Sequence, residues 1–168
     1  MTLSMTLKWD DLISPTITPD EYLTQFSEKV NLNYETYEPK KDILHNISTL
    51  LEKKGEKLKI IALGADWCPD CTRNIPRMIK ITRTIPSLIG EFKILYGIVV
   101  NALHKPNEVI WHKNRSPPEA VNPKFNLEKI PTFYFFNKAG EFLDVIIEKP
   151  KINSSLEEEL LEILENRL

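Results

Sequence analysis

Cysteine is scarce in this chain. Its 168 residues hold two, Cys68 and Cys71, separated by two residues within GADWCPDCTRNIP, residues 64–76. One Cys-x-x-Cys cannot build a disulfide framework, so a stapled secreted domain is excluded and a reducing cytoplasm is expected. Charge of one sign is also lacking. With 22 basic and 24 acidic residues the net charge is −2, and no basic patch or long one-sign block points to nucleic acid or an anionic membrane. The apolar runs are too short to span a bilayer. The opening MTLSMTLKWDDLISP lacks a basic segment followed by an apolar core, so no leader is expected. Gln25 is the only glutamine, and with 12 prolines this leans toward a thermophile's composition.

What remains is 42% apolar and 27% charged, the profile of a globular chain with one full core. TPDEYLTQFSEKV opens with Thr18, Pro19 and Glu21, a capping box with proline at the first helical position. Tyr22, Phe26 and Val30 then share one face of a short amphipathic helix. NLNYETYEP alternates Leu32, Tyr34 and Thr36 with polar neighbours, which predicts an edge strand. KKDILHNISTLLEKKG places Ile43, Leu44, Ile47, Leu50 and Leu51 on one helical face and ends at Gly55. KLKIIALGA and FKILYGIVV read as strands buried on both faces. A helix is expected from near Pro69 toward Ser87. Residues 101–129 read as short helical pieces and loop, with Val109, Ile110 and Trp111 packing on the sheet. TFYFF and EFLDVII flank NKAG as an antiparallel hairpin turning at Gly140. A last helix follows Ser154 or Ser155, with Leu156, Leu160, Ile163 and Leu164 as its apolar stripe. This order predicts an α/β fold, a central mixed sheet covered by helices on both faces. Residues 1–31 form an extension carrying the extra N-terminal helix, and 32–168 form the main domain.

The Cys-x-x-Cys has three readings: redox exchange, metal binding, or two incidental thiols. A metal needs further ligands, but there is no second Cys-x-x-Cys. His104 and His112 are too widely spaced and His45 is remote. No metal and no bound cofactor is therefore expected. A cysteine just before a helix gains from free backbone N–H groups and the helix dipole, which favour the reactive thiolate. Pro69 suits the first helical position. Cys68 then sits at the exposed tip, able to attack a disulfide, with Cys71 one turn inward to resolve the mixed disulfide.

The chain resembles the thioredoxin superfamily over residues 32–168. The resemblance is sharpest in ADWCPDC after a buried strand, in Pro76 five residues past Cys71, and in KIPTFYFFNKAGE. The fuller ADWCPDCTRNIP is similar to a prokaryotic group of thioredoxin-like proteins. The resemblance implies a thioredoxin fold, a cis Ile130–Pro131 bond lying against the reactive cysteine, and substrate contact through Trp67, Ile130 and Pro131. It also implies disulfide-containing protein substrates and electrons from a separate flavin-dependent reductase of the thioredoxin-reductase type. The family's buried acid, six residues before the first cysteine, is Ala62 here; Asp66 or Asp70 is expected to take the proton of Cys71 instead, directly or through water. The family's glycine near the end of the last strand is Glu148 here. Asp70, beside Cys68, disfavours the thiolate and so favours a reductase over an oxidase. Together these readings give a cytoplasmic thiol–disulfide oxidoreductase that reduces protein disulfides. The competing reading is a non-enzymatic, redox-gated binding module on the same fold.

Overall fold

In the computed structural model, residues 6–26 and 28–168 are described. Residues 1–5, part of the segment expected to carry no leader, and Ser27 lie outside them. The helix α1 spans Pro19–Gln25. Thr18 Oγ1 accepts from Glu21 N, and Glu21 Oε1 accepts from Thr18 N at 2.9 Å, the expected capping box. The helix does not run on to Val30: Phe26 is extended, with φ −111° and ψ 167°. A second helix, α2, then covers Glu28–Thr36.

This corrects the edge strand expected from Leu32. The alternation of Leu32, Tyr34 and Thr36 is real, but burial follows a helix. Val30 is fully buried while Leu32 is 60% exposed. The partner that decides the matter is α4, Pro69–Arg83, against which α2 packs. Pro76 lies inside α4 and has no N–H, so the carbonyl four residues back, that of Thr72, has no helical donor. Asn33 Nδ2 donates to that carbonyl at 3.1 Å and so binds α2 to α4. The edge of the sheet where a strand was expected is met by Ile17, which exchanges backbone bonds of 2.9 and 3.0 Å with Ile94.

The third helix, α3, covers Lys41–Lys54, buries Leu44, Ile47 and Leu51, and ends on Gly55 at φ +63°. Strands β1 (Leu58–Leu63), β2 (Ile89–Leu95), β3 (Thr132–Phe136) and β4 (Phe142–Ile147) form one sheet in the order β2-β1-β3-β4. β1 and β2 are parallel; β1–β3 and β3–β4 are antiparallel. β2 stops at Leu95, short of the expected run, because Gly97 turns the chain at φ +95°. Every residue of β3 and nearly all of β1 is buried, as a sheet covered on both faces requires. α3 packs on α5, Leu156–Arg167, and α5 lies along β4. Ser155 caps α5, accepting from Glu158 N at 3.2 Å. Gly140 takes φ +86° in the hairpin turn, as expected.

Residues 101–129 contain one 3-10 turn, Pro118–Ala120, and otherwise loop. Trp111, Ala120, Phe125 and Leu127 are buried in the core, whereas Val109 is exposed. Trp111 Nε1 donates to Leu127 O at 2.7 Å, so the segment packs against itself as well as the sheet. Glu119 is buried within it, and its carboxylate accepts from Ile13 N, Ser14 N and Ser14 Oγ. Burial opposes ionisation there, but those donors win and hold the carboxyl below its ordinary range. The N-terminal arm is thereby tied to the long loop.

Candidate functional site

β1 delivers the chain to the site. After Leu63 the ladder extends one step, Gly64 N donating to Leu95 O at 3.0 Å. The chain turns at Asp66 and Trp67 and enters α4 with Cys68 as N-cap. Pro69 takes the first helical position, where an N–H is not needed. Cys68 Sγ accepts from Cys71 N at 3.2 Å and faces Ile130 O at 3.5 Å, with the thiol donating. Cys68, expected at an exposed tip, is instead buried at 5% exposure under the Ile130 loop; Cys71, one turn inward, is fully buried, and both cysteines are free thiols.

The two thiols are driven apart electrically. The Cys68 thiol falls from its ordinary 9.0 to about 7. The largest cause is the hydrogen bond from the Cys71 thiol; burial works against it, and the backbone N–H groups of Cys71 and Asp70 add to the lowering. Asp70 pushes Cys68 upward, as its charge requires, but the donors outweigh it. Cys71 moves the other way: burial raises it most, and donating to Cys68 raises it further. At neutral pH Cys68 is therefore the more readily ionised thiol of the pair, and Cys71 keeps its proton.

The expected supporting residues fall in different places. Ile130 comes against Cys68 from the loop before β3 through its carbonyl, and the Ile130–Pro131 peptide is cis. Trp67 is 53% exposed, so it is not a core residue; its Nε1 donates to Ile98 O at 2.9 Å, holding the ring at the lip of the site. Asp66 is exposed, and Asp70 pairs with Arg73 at 3.4 Å. Among the described residues neither carboxylate is hydrogen-bonded to Cys71, and the charge of Asp70 raises that thiol. Ala62 is buried in the centre of the sheet, paired with Ile94 and Phe133. Among the described residues no three His, Cys, Asp or Glu side chains gather to hold a metal.

A cleft of about 380 Å³ opens beside Cys68. Asp66, Trp67, Cys68 and Pro69 line it from the motif, Thr72 and Arg73 from the next turn of α4, and Lys29 and Asn33 from α2. The contribution of α2 was not legible in sequence, because it follows from that segment being helical. Glu148, the residue where a glycine was expected, has φ +66°. Its N–H donates to Pro131 O at 2.6 Å and its carbonyl accepts from buried Asn74 Nδ2 at 3.2 Å. This short chain of bonds ties the end of β4 both to the Pro131 loop and to α4.

Comparison with known proteins bears on the fold. Residues 16–95 match the sequence model of a family described as thioredoxin. Over those residues, just under half of its length, the chain is similar to the thioredoxin superfamily. Its fold is the α/β thioredoxin fold. A protein of unknown function from Pseudomonas aeruginosa is similar in structure, with a TM-score of 0.66 at 15% identity, covering 96% of this chain and 99% of that one. An HIV epitope-scaffold has the same TM-score and identity, covering 96% of this chain and 100% of its own. A thioredoxin from Fasciola hepatica aligns over 73% of this chain and 91% of that chain, at 20% identity and a TM-score of 0.40. No curated protein matches the chain. Among the described residues, no helix of this thioredoxin-fold chain is long and apolar enough to cross a membrane.

Proposed function

We propose that this chain is a thiol–disulfide oxidoreductase that reduces protein disulfides in the cytoplasm, cycling Cys68 and Cys71 without a bound cofactor. The observation that carries the reading is the split of the two thiols: Cys68 lowered to about 7 at the helix end, Cys71 buried and raised behind it. The Cys68 thiolate attacks a substrate disulfide, forming a mixed disulfide and releasing one substrate thiol. Cys71 then attacks Cys68 Sγ; the Cys68–Cys71 disulfide forms, the mixed disulfide breaks, and the second substrate thiol leaves. Two electrons pass to the substrate and are returned by a separate flavin-dependent reductase of the thioredoxin-reductase type. Trp67, Ile130 and Pro131 meet the substrate chain at Cys68, while Asp66, Pro69 and Asp70 shape the rim. A thiol near 7 accords with a mild reducing couple, since strongly oxidising dithiols of this kind have values of about 3.5.

Insulin reduction by dithiothreitol tests the reading. Wild type should raise the rate well above the reductant alone, and Cys68→Ser should return it to background. No acceleration by wild type would favour the redox-gated binding module instead. Cys71→Ser should leave a stable mixed disulfide at Cys68, through which the native substrate is identified by mass spectrometry.

A further inference from the structure

The second half of that cycle poses a problem at Cys71. In the resting pair its thiol donates to Cys68. Once Cys68 is in a mixed disulfide, that anionic acceptor is gone and Cys71 must itself become a thiolate. It must do so fully buried, with Asp70 opposing the charge and no acid or cation at Ala62.

Two tyrosines reach this spot from elements far apart in sequence. Tyr96 directly follows β2 and Tyr22 lies in α1, 74 residues away, and their hydroxyl oxygens are 2.7 Å apart. Tyr22 is fully buried, and Phe26 closes the cluster with ring centroids 4.9 Å from Tyr22 and 4.8 Å from Tyr96. Gly64 lies between the Tyr96 ring and the Cys71 thiol. A Cβ at position 64 would stand 3.1 Å from Cys71 Sγ and 3.2 Å from Tyr96 Cε1. The hydroxyl pair carries two protons, and the bond between the oxygens uses one. Among the hydrogen bonds of the described residues the other proton has no acceptor.

We propose that the Tyr22–Tyr96 hydroxyl pair stabilises the Cys71 thiolate as it forms during resolution of the mixed disulfide. Tyr22 donates to Tyr96, and Tyr96 turns its own O–H toward the sulfur. A hydrogen bond in a chain of this kind is strengthened by its neighbour. Burial keeps both phenols protonated, and a charge on Cys71 holds them so more firmly. They are therefore donors, not bases. The proton lost by Cys71 ends on the departing substrate sulfur, or in water where that sulfur leaves as a stable thiolate, so the step needs no outside co-reactant. The other groups facing Cys71 are Cys68 and Asp70 on α4 and the backbone of Ala65, which favours the thiolate. From the loop before β3, Ile130 presents its carbonyl to Cys68. Lys29 of α2 and Arg73 and Asp66 line the outer cleft on the Cys68 side.

The inference rests on the two-cysteine cycle, and one experiment separates the two. The aromatic disulfide dithiobis(nitrobenzoate) at saturating concentration releases one coloured thiolate when Cys68 attacks and a second when Cys71 resolves. Each trace thus contains its own reference phase. In Tyr96→Phe the second phase should slow relative to the first by about tenfold to a hundredfold, the worth of a hydrogen bond to a charged group. Its pH dependence should move upward. Tyr22→Phe should move both readouts the same way by less. Both variants keep the ring contacts, and a normal first phase shows an intact site; Tyr22→Phe carries the test alone if Tyr96→Phe does not fold. A second phase of wild-type rate and pH dependence in these variants overturns the role of the tyrosines and leaves the reductase reading standing. No second release from wild type overturns the reductase reading itself, and the inference with it.

Discussion

Replacing Cys71 by alanine should raise the Cys68 thiol, because the largest influence holding it at about 7 is the hydrogen bond from the Cys71 thiol. A hydrogen bond to a charged group is worth about 1.5–3 kcal/mol. At 1.36 kcal/mol per pH unit this corresponds to about one to two units. The backbone N–H groups at the helix end remain, so the new midpoint should lie at about 8 to 9 rather than higher. Alkylation by iodoacetamide as a function of pH reads this directly. In wild type Cys71 is buried and protonated and does not compete; in the variant Cys68 is the only thiol left. A stability effect must follow with a definite sign. The folded-state value of Cys68 lies below its ordinary 9.0, so its thiolate stabilises the reduced protein fully above that value, and the contribution is lost as pH falls through about 7. Because Cys68 borders the open cleft, solvent screening leaves about 1 kcal/mol of it. Urea unfolding of the reduced protein should therefore gain more stability between pH 7 and pH 9 in wild type than in Cys71→Ala. An alkylation midpoint that stays near 7 in the variant would refute the reasoning and assign the whole effect to the helix end.

Two further substitutions probe the frame around the site. Glu148→Gly relieves a non-glycine residue at φ +66° while keeping its backbone bonds to Pro131 and Asn74. It should stabilise the protein by about 0.5–1 kcal/mol, visible as a higher Tm; a lower Tm would mean the Glu148 side chain makes a stabilising contact that outweighs the strain. Asn33→Ala removes the donor to Thr72 O, the carbonyl left free by Pro76. The expected cost is about 1–3 kcal/mol in chemical denaturation, and in hydrogen exchange the protection lost should concentrate in α2. Uniform loss across the molecule would show that Asn33 is not what holds α2 to α4.

How much of this was legible in the sequence depends on the range of the forces. The capping box at Thr18 and Glu21, the end of α3 at Gly55 and the Gly140 turn were readable because each is settled within four or five residues. The position of Cys68 as a helix N-cap after a buried strand was readable for the same reason. Residues 32–36 were misread because their alternation suits a strand, while the deciding facts lie elsewhere: Pro76 frees a carbonyl on α4, and Asn33 reaches it only from a helix. Val109 was expected to be buried with its neighbours, but the loop turns Trp111 inward and leaves Val109 in solvent.

The sequence by itself determined that two thiols a helical turn apart would stand at a helix start, one forward and one behind. That follows from chain geometry over four residues and from the fixed dipole of the helix end. The tertiary structure alone decided what surrounds them. It brought Ile130 to Cys68 across 62 residues, added Lys29 and Asn33 to the cleft by folding α2, and set the Tyr22 and Tyr96 hydroxyls together at the edge of the core on the Cys71 side. None of these approaches has a local signature, because each arises from the packing of elements whose own patterns record only that they have a buried face.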